Sequence, residues 1–214
     1  MFRTPGLWLA ALLASCAPVA ASSPVQDARP SAAANAEVRA DIVAELNAAR
    51  TDPAAYARKA RALRALFRGD RIERPGETAL LTREGTAAVD EAIAFLEAQT
   101  PLPALRESPA LNRAAADHAG EQGRTGAVAH ESADGSSPAD RMRRQGRWTA
   151  TGEAIAYGPE RAEDVILQLI VDDGVADRGH RRILFNPVYA LVGVACAPHP
   201  GWRQVCVLDF ARAG

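Results

Sequence analysis

A chain of 214 residues with 25 basic and 26 acidic side chains carries a formal charge of −1, so no global field gathers nucleic acid or an anionic membrane. Its apolar fraction of 48% is that of a globular protein. With an N-terminal leader set aside, one domain of ordinary size remains, able to bury roughly 70% of its unfolded surface.

The leader comes first. Arg3 supplies a small positive start, and Leu7 to Ala14 form an apolar run too short to span a bilayer. Two endings fit it. Leu13-Ala14-Ser15-Cys16 resembles a bacterial lipobox, in which Cys16 becomes the lipidated first residue, and Val19-Ala20-Ala21 suits ordinary cleavage. Either ending implies export, to the periplasm or outer envelope as a lipoprotein or as a secreted protein. Membrane contact is then expected only through a lipid on Cys16. Residues 1–21 read as a signal peptide, 22–35 as a flexible tether rich in Ala, Ser and Pro, and 36–214 as the folded domain.

Within that domain, Val38, Ile42, Leu46 and Ala49 make a helical stripe over 36–50. Asp52-Pro53 is a cap followed by a first-turn proline, starting a helix to about Phe67. Residues 68–79 read as a loop or small hairpin, and Thr82 as the cap of a third helix ended by Pro101 and Pro103. Ser108-Pro109 and Ser137-Pro138 repeat the cap-then-proline signal. A further helix is expected over about 160–173. His118, aligned with Leu111 and Ala115, reads as a core histidine. Arg141, Arg143, Arg144 and Arg147 read as a solvated helix face, short of the charge and stacking residues a nucleic-acid surface needs.

The chain ends in two apolar runs, 189–197 and 204–210, separated by His199-Pro200-Gly201. His199 is expected in an exposed turn. For a hairpin centred on Gly201, Val194 faces Leu208, Val192 faces Phe210, and Cys196 faces Cys206. Directly opposed cysteines have the short separation a disulfide needs; the alternative is two buried thiols. Both strands lack polar alternation, so both faces are covered. The expected fold is α+β, with helices on both faces of a small antiparallel sheet.

Three segments carry chemistry. His130 ends Gly126-Ala127-Val128-Ala129-His130, Glu153 sits inside Gly152-Glu153-Ala154-Ile155, and His180 lies in Arg178-Gly179-His180-Arg181-Arg182. If the fold joins them, two imidazoles and a carboxylate share a cleft suited to a metal or to acid–base work. The three arginines around His180 either bring positive charge to its rim or pair with Asp172, Asp173 and Asp177.

In this order the segments resemble the CAP superfamily, the cysteine-rich secretory, antigen 5 and pathogenesis-related 1 proteins, above all its bacterial secreted branch. Asn47-Ala48-Ala49-Arg50 with Asp52-Pro53-Ala54-Ala55-Tyr56 looks like the first helix of that branch. His130 with Asp134-Gly135, Gly152-Glu153-Ala154-Ile155-Ala156, Gly179-His180-Arg181, Asn186-Pro187 and Val192-Gly193-Val194-Ala195 follow in family order. The likeness covers roughly residues 40–211. It implies a three-layer α-β-α sandwich whose cleft holds two histidines and two acids, here His130, His180, Glu153 and, as the nearest candidate, Asp172. Ala154 departs from the usual asparagine, and Asp172 is shorter than the usual acid.

The expected function is binding in the cleft: zinc or another divalent cation at His130 and His180, a small lipid-like or envelope ligand at His130, Glu153, Asp172 and His180, or both. A second reading is a metal- or histidine-assisted hydrolase of peptide or envelope polymer, with Glu153 and His180 as candidate catalytic groups. A third is an extracellular interaction module with a structural cleft. No Gly-x-Ser-x-Gly nucleophile is present. Replacing Cys16 with Ser should release the protein from membranes, read by fractionation; a soluble parent protein would instead support cleavage after Ala21.

Overall fold

The computed structural model describes residues 32–214; the leader, Cys16 and the tether up to residue 31 lie outside them. Helix α1 (Ala32–Thr51) begins before residue 36, because three consecutive alanines favour its extension. Ile42, Leu46 and Ala49 are fully buried along its inner face. Asp52 then caps α2 (Pro53–Ala65), its side chain accepting the Ala55 N–H at 2.9 Å.

The segment expected as a loop or hairpin forms three short antiparallel strands in order, β1 (Phe67–Arg68), β2 (Arg71–Ile72) and β3 (Leu80–Leu81). Thr82 is not a helix cap. Its hydroxyl donates to the Asp70 carbonyl and closes this small sheet, and α3 (Thr86–Ala98) starts later, after Gly85. Ser108 and Ser137 cap α4 (Pro109–Thr125) and α5 (Pro138–Gln145) as their prolines imply, and Asp140 completes a capping box with Ser137.

Helix α6 (Ala162–Val171) stops short of residue 173 because Asp172 turns left-handed at φ 56°. The six-residue α7 (Gly179–Leu184) has no local start signal; its cap position is Arg178 at φ 51°.

The main sheet holds β4 (Arg106–Glu107), β5 (Trp148–Tyr157), β6 (Leu191–His199) and β7 (Arg203–Ala213) in the order β4-β6-β7-β5. Only the β4 edge is parallel to its neighbour. The β6–β7 hairpin has the register read from its sequence, and Cys196 is bonded to Cys206. Helices α4 and α5 cover one face; α1 and α6 cover the other, with α2 and α3 paired beside them. The chain is therefore an α-β-α sandwich. One core, around Ile42, Leu46, Ile166 and Leu208, fills the α1–α6 side, and a smaller one, around Ala115, Ile155 and Val207, fills the α4 side.

Strand β6 crosses α4 so closely at Gly193 that a Cβ there would overlap the Leu111 and Asn112 backbone. Asn112 uses the approach, accepting the Val194 N–H at 2.9 Å. Gly193→Ala should therefore destabilise the protein by more than about 2 kcal/mol, read as a lower urea midpoint; an unchanged midpoint would mean the two layers are free to separate.

Candidate functional site

The cleft lies where both helical layers meet β5, the edge strand of the main sheet. His130 comes from the loop after α4, on one side. The loop is held at its base by core side chains: Gln122 Nε2 donates to the Ala129 carbonyl, and His118 Nε2 lies 2.9 Å from the same oxygen. His118 is thus the buried structural histidine its position implied. His180 comes from α7, on the other side. The two imidazole centroids stand 6.3 Å apart, so loops separated by fifty residues do converge.

Each imidazole leans on its own acid. His130 Nδ1 is 2.8 Å from Glu153 Oε1, and His180 Nδ1 is 2.6 Å from Asp172 Oδ1. The acids are buried, with side chains 1% and 3% exposed, whereas the histidines are 47% and 24% exposed. Glu153, chiefly through this hydrogen bond, raises the His130 pKa above its ordinary value. An Nδ1–H given to a carboxylate leaves Nε2 as the nitrogen turned to other work.

The second acid owes its place to backbone conformation. Asp172 is the left-handed cap of α6, a conformation its short polar side chain tolerates. From there Oδ2 accepts the His180 N–H at 2.9 Å, so one carboxylate orients both the helix start and the ring. Around it, Arg181 is buried, donating to the Ile170 and Val171 carbonyls and pairing with Glu91. Arg178 grips Glu84 and Glu91, and Arg182 pairs with Asp177. Of the pairings expected for these arginines only Arg182–Asp177 forms. Asp173 instead accepts the Arg83 and Glu84 amides, and the cleft gains no free cation from Arg178 or Arg181.

Two site residues escaped the sequence reading. Arg141 is not on a solvated face: it is 3% exposed and donates to Glu153 Oε2 at 2.6 Å. Its neighbour Met142 is fully buried, and that apolar neighbour was the signal that α5 turns this edge inward. Arg143 and Arg144 are exposed, as expected. Asp209 is the other. It lies directly opposite Glu153 in the β5–β7 ladder, is 0% exposed, and neither of its oxygens has a hydrogen-bond partner. Its signal was an acid inside an apolar strand, unreadable until β5 is known to be its neighbour. Burial first, then the Glu153 charge, drives the Asp209 pKa well above the carboxylate range. With neither oxygen bonded and Glu153 beside it, Asp209 favours its protonated form. His199 also differs from expectation: it is 4% exposed, with Nε2 3.1 Å from the Ala127 carbonyl, because the hairpin turn folds back on the α4 loop.

Residues 43–210 match the family described as CAP, cysteine-rich secretory protein family. No curated protein is detectably similar in sequence. Among solved structures, an extracellular protein containing an SCP domain from Bacillus anthracis shares 20% identity over 52% of this chain and 34% of its own, with a TM-score of 0.44. An outer surface protein from Borrelia burgdorferi shares 20% over 53% and 80%, TM-score 0.45. A cysteine-rich secretory protein from Staphylococcus aureus shares 13% over 64% and 42%, TM-score 0.39. The chain thus spans about a third of the Bacillus protein and under half of the Staphylococcus one.

The raised Asp209 pKa gives its proton a pH signature. The folded state holds it above the pH at which the unfolded chain releases it, so stability falls as pH rises through that interval, by up to about 1.4 kcal/mol per unit. Asp209→Asn keeps the shape without needing the proton. It should flatten this slope and exceed the parent in stability at pH 8, measured by urea unfolding at several pH values; parallel curves would show that Asp209 is ionised in the folded protein.

Proposed function

The chain belongs to the CAP family of cysteine-rich secretory proteins, and we propose that its cleft binds a small ligand at the Nε2 atoms of His130 and His180, a divalent cation such as zinc foremost. One observation carries this reading: both rings are held at Nδ1 by buried carboxylates, with their centroids 6.3 Å apart. A zinc ion held tetrahedrally about 2.0–2.1 Å from each nitrogen sets two ring centroids about 5 Å apart, so the rings, at 6.3 Å, would close by about 1 Å on a bound ion.

The donor set is small. Among the described residues no three His, Cys, Asp or Glu side chains gather around one point. The oxygens of Glu153 go to His130 and Arg141, and those of Asp172 to His180. Two nitrogens then come from the protein, and water or ligand fills the rest, which favours modest affinity and an open site. A bound ion would supply Lewis acidity and a water of lowered pKa. As pH falls, protons compete with the ion at His130, whose pKa Glu153 raises.

The Asp172–His180 pair has the form of a general base with its orienting acid, so hydrolysis of a peptide or envelope polymer is the second reading. In it His180 meets the substrate, while Glu153, buried and fully engaged, acts only by positioning His130. Ser136 and Ser137 offer no nucleophile, one bonded to Asp134 and the other to Asp140. Export suits both readings; the leader supports it, as does a disulfide, which persists in oxidising compartments.

Zinc titrated calorimetrically should bind the parent protein and not a His130→Ala/His180→Ala variant. Glu153→Gln and Asp172→Asn, which keep both ligands but loosen their rings, should weaken binding about 10–100-fold. If zinc leaves the parent and the double variant equally unaffected, the metal reading ends.

A further inference from the structure

Strand β5 ends the main sheet, and its hydrogen bonds show which way each residue turns its backbone. Just past the strand, Gly158 donates to the Gln204 carbonyl of β7 at 2.9 Å. The direction alternates along an antiparallel ladder, so Gly152, Ala154 and Ala156 also face β7, while Thr151, Glu153, Ile155 and Tyr157 face outward. Two of the outward carbonyls are taken by side chains. The Tyr189 hydroxyl donates to Thr151 at 3.0 Å, and Gln168 Nε2 donates to Tyr157 at 3.0 Å. Between those stops, the N–H and C=O groups of Glu153 and Ile155 have no partner among the described residues.

These four groups lie deep. Glu153 and Ile155 are only 5% and 6% exposed, and an unpaired backbone group so placed costs free energy until something polar reaches it. What surface Glu153 keeps is mostly backbone, since its side chain is 1% exposed. Spacing selects the occupant. Glu153 and Ile155 stand about 7 Å apart along the strand, each offering one donor and one acceptor. A lone amide satisfies one such pair; matching both in register takes another extended polypeptide backbone.

Sheet periodicity also places the side chains of that added strand. Ala154 packs into the core on the α1–α6 side, and Ile155 into the one on the α4 side. A partner residue opposite Ala154 therefore points to the α6 side, where a cavity of about 330 Å³ touches β5 at Ile155 and Tyr157. Phe67 and Leu167 line it, and Leu80, Leu81 and Trp202 leave exposed apolar surface around it. An apolar side chain suits that central position.

We propose that the open edge of β5 takes a three-residue stretch of extended polypeptide, added to the four-stranded sheet as a fifth strand, with an apolar residue at its centre. This goes beyond the metal reading. It needs neither an ion nor a charge on the histidines, and it gives the hydrolase reading a substrate class without resting on it.

The probe is the pentapeptide acetyl-Ser-Ala-Leu-Ala-Ser-amide, added to isotope-labelled protein in chelator-treated buffer, with amide exchange followed by NMR. In the free protein the Glu153 and Ile155 amides should exchange faster than those of Ala154 and Ala156, which bond to β7. The peptide should slow the first pair and leave the second unchanged. N-methylation of both alanines removes the donors aimed at β5 and should weaken binding about tenfold or more. N-methylation of the leucine, whose N–H faces away, should not. Protection should persist in His130→Ala/His180→Ala. Unchanged exchange at Glu153 and Ile155 in millimolar peptide, or equal loss from both methylation patterns, overturns the strand addition. Protection lost with the histidines puts the peptide on the rings and overturns the edge assignment, and equal binding with aspartate in place of the leucine overturns the apolar centre. Peptide binding with absent zinc binding supports the edge and removes only the metal reading; zinc binding without peptide binding does the reverse.

Discussion

A buried carboxylate must be paired or protonated, and in this protein that constraint falls on Glu153. It sits on β5 with its side chain almost fully enclosed, and the structure meets its demands one oxygen at a time. One oxygen goes to His130, which fixes the ring. The other goes to Arg141, which also reaches the Ser132 hydroxyl and the Ser136 carbonyl in the loop beyond His130. A single acid thereby ties α5, the α4 loop and the sheet edge together. Asp209 adds a second carboxyl on the neighbouring strand, where burial and the Glu153 charge favour its protonated form. Such a cluster adds little net stability against an apolar substitute, but losing one member leaves an uncompensated charge.

Across the edge of the sheet the same device recurs with different parts. Asp172 holds His180 as Glu153 holds His130, yet Asp172 is a helix cap rather than a strand residue. Its departure from helical geometry is backed by Arg178, which donates to the Asp172 carbonyl, and by Arg181, which satisfies the last carbonyls of α6. Two acids from two layers therefore aim two imidazoles at one space, each on a rigid support. Edge position matters here, because a strand in the middle of the sheet would keep the layers apart.

The site is polar on one side and apolar on the other. The first is built from charges that neutralise one another, and the second from side chains of α2, α6 and the small β1–β3 sheet. No helix among the described residues is long and apolar enough to cross a membrane, so the exposed apolar surface around Leu80, Leu81 and Trp202 is not part of a helical membrane span.

Local and periodic features were legible in the chain itself. Cap-then-proline pairs marked α2, α4 and α5, and the two apolar runs around Gly201 set the β6–β7 register down to the Cys196–Cys206 pair. Those signals need only a residue's neighbours, or a symmetric turn, to be read. His130, Glu153 and His180 stood out by their motifs, and Asp172 by its place at the end of α6. Tertiary structure alone decided the rest. Helix α7 is capped from eight residues upstream, Thr82 serves a sheet instead of a helix, and His199 is buried by a loop it never meets in sequence. Arg141 and Asp209 became site residues only when β5 was laid beside β7 and α5 packed over it. A charge's cost and its partner depend on what surrounds it in space, and a linear chain of letters does not carry that distance.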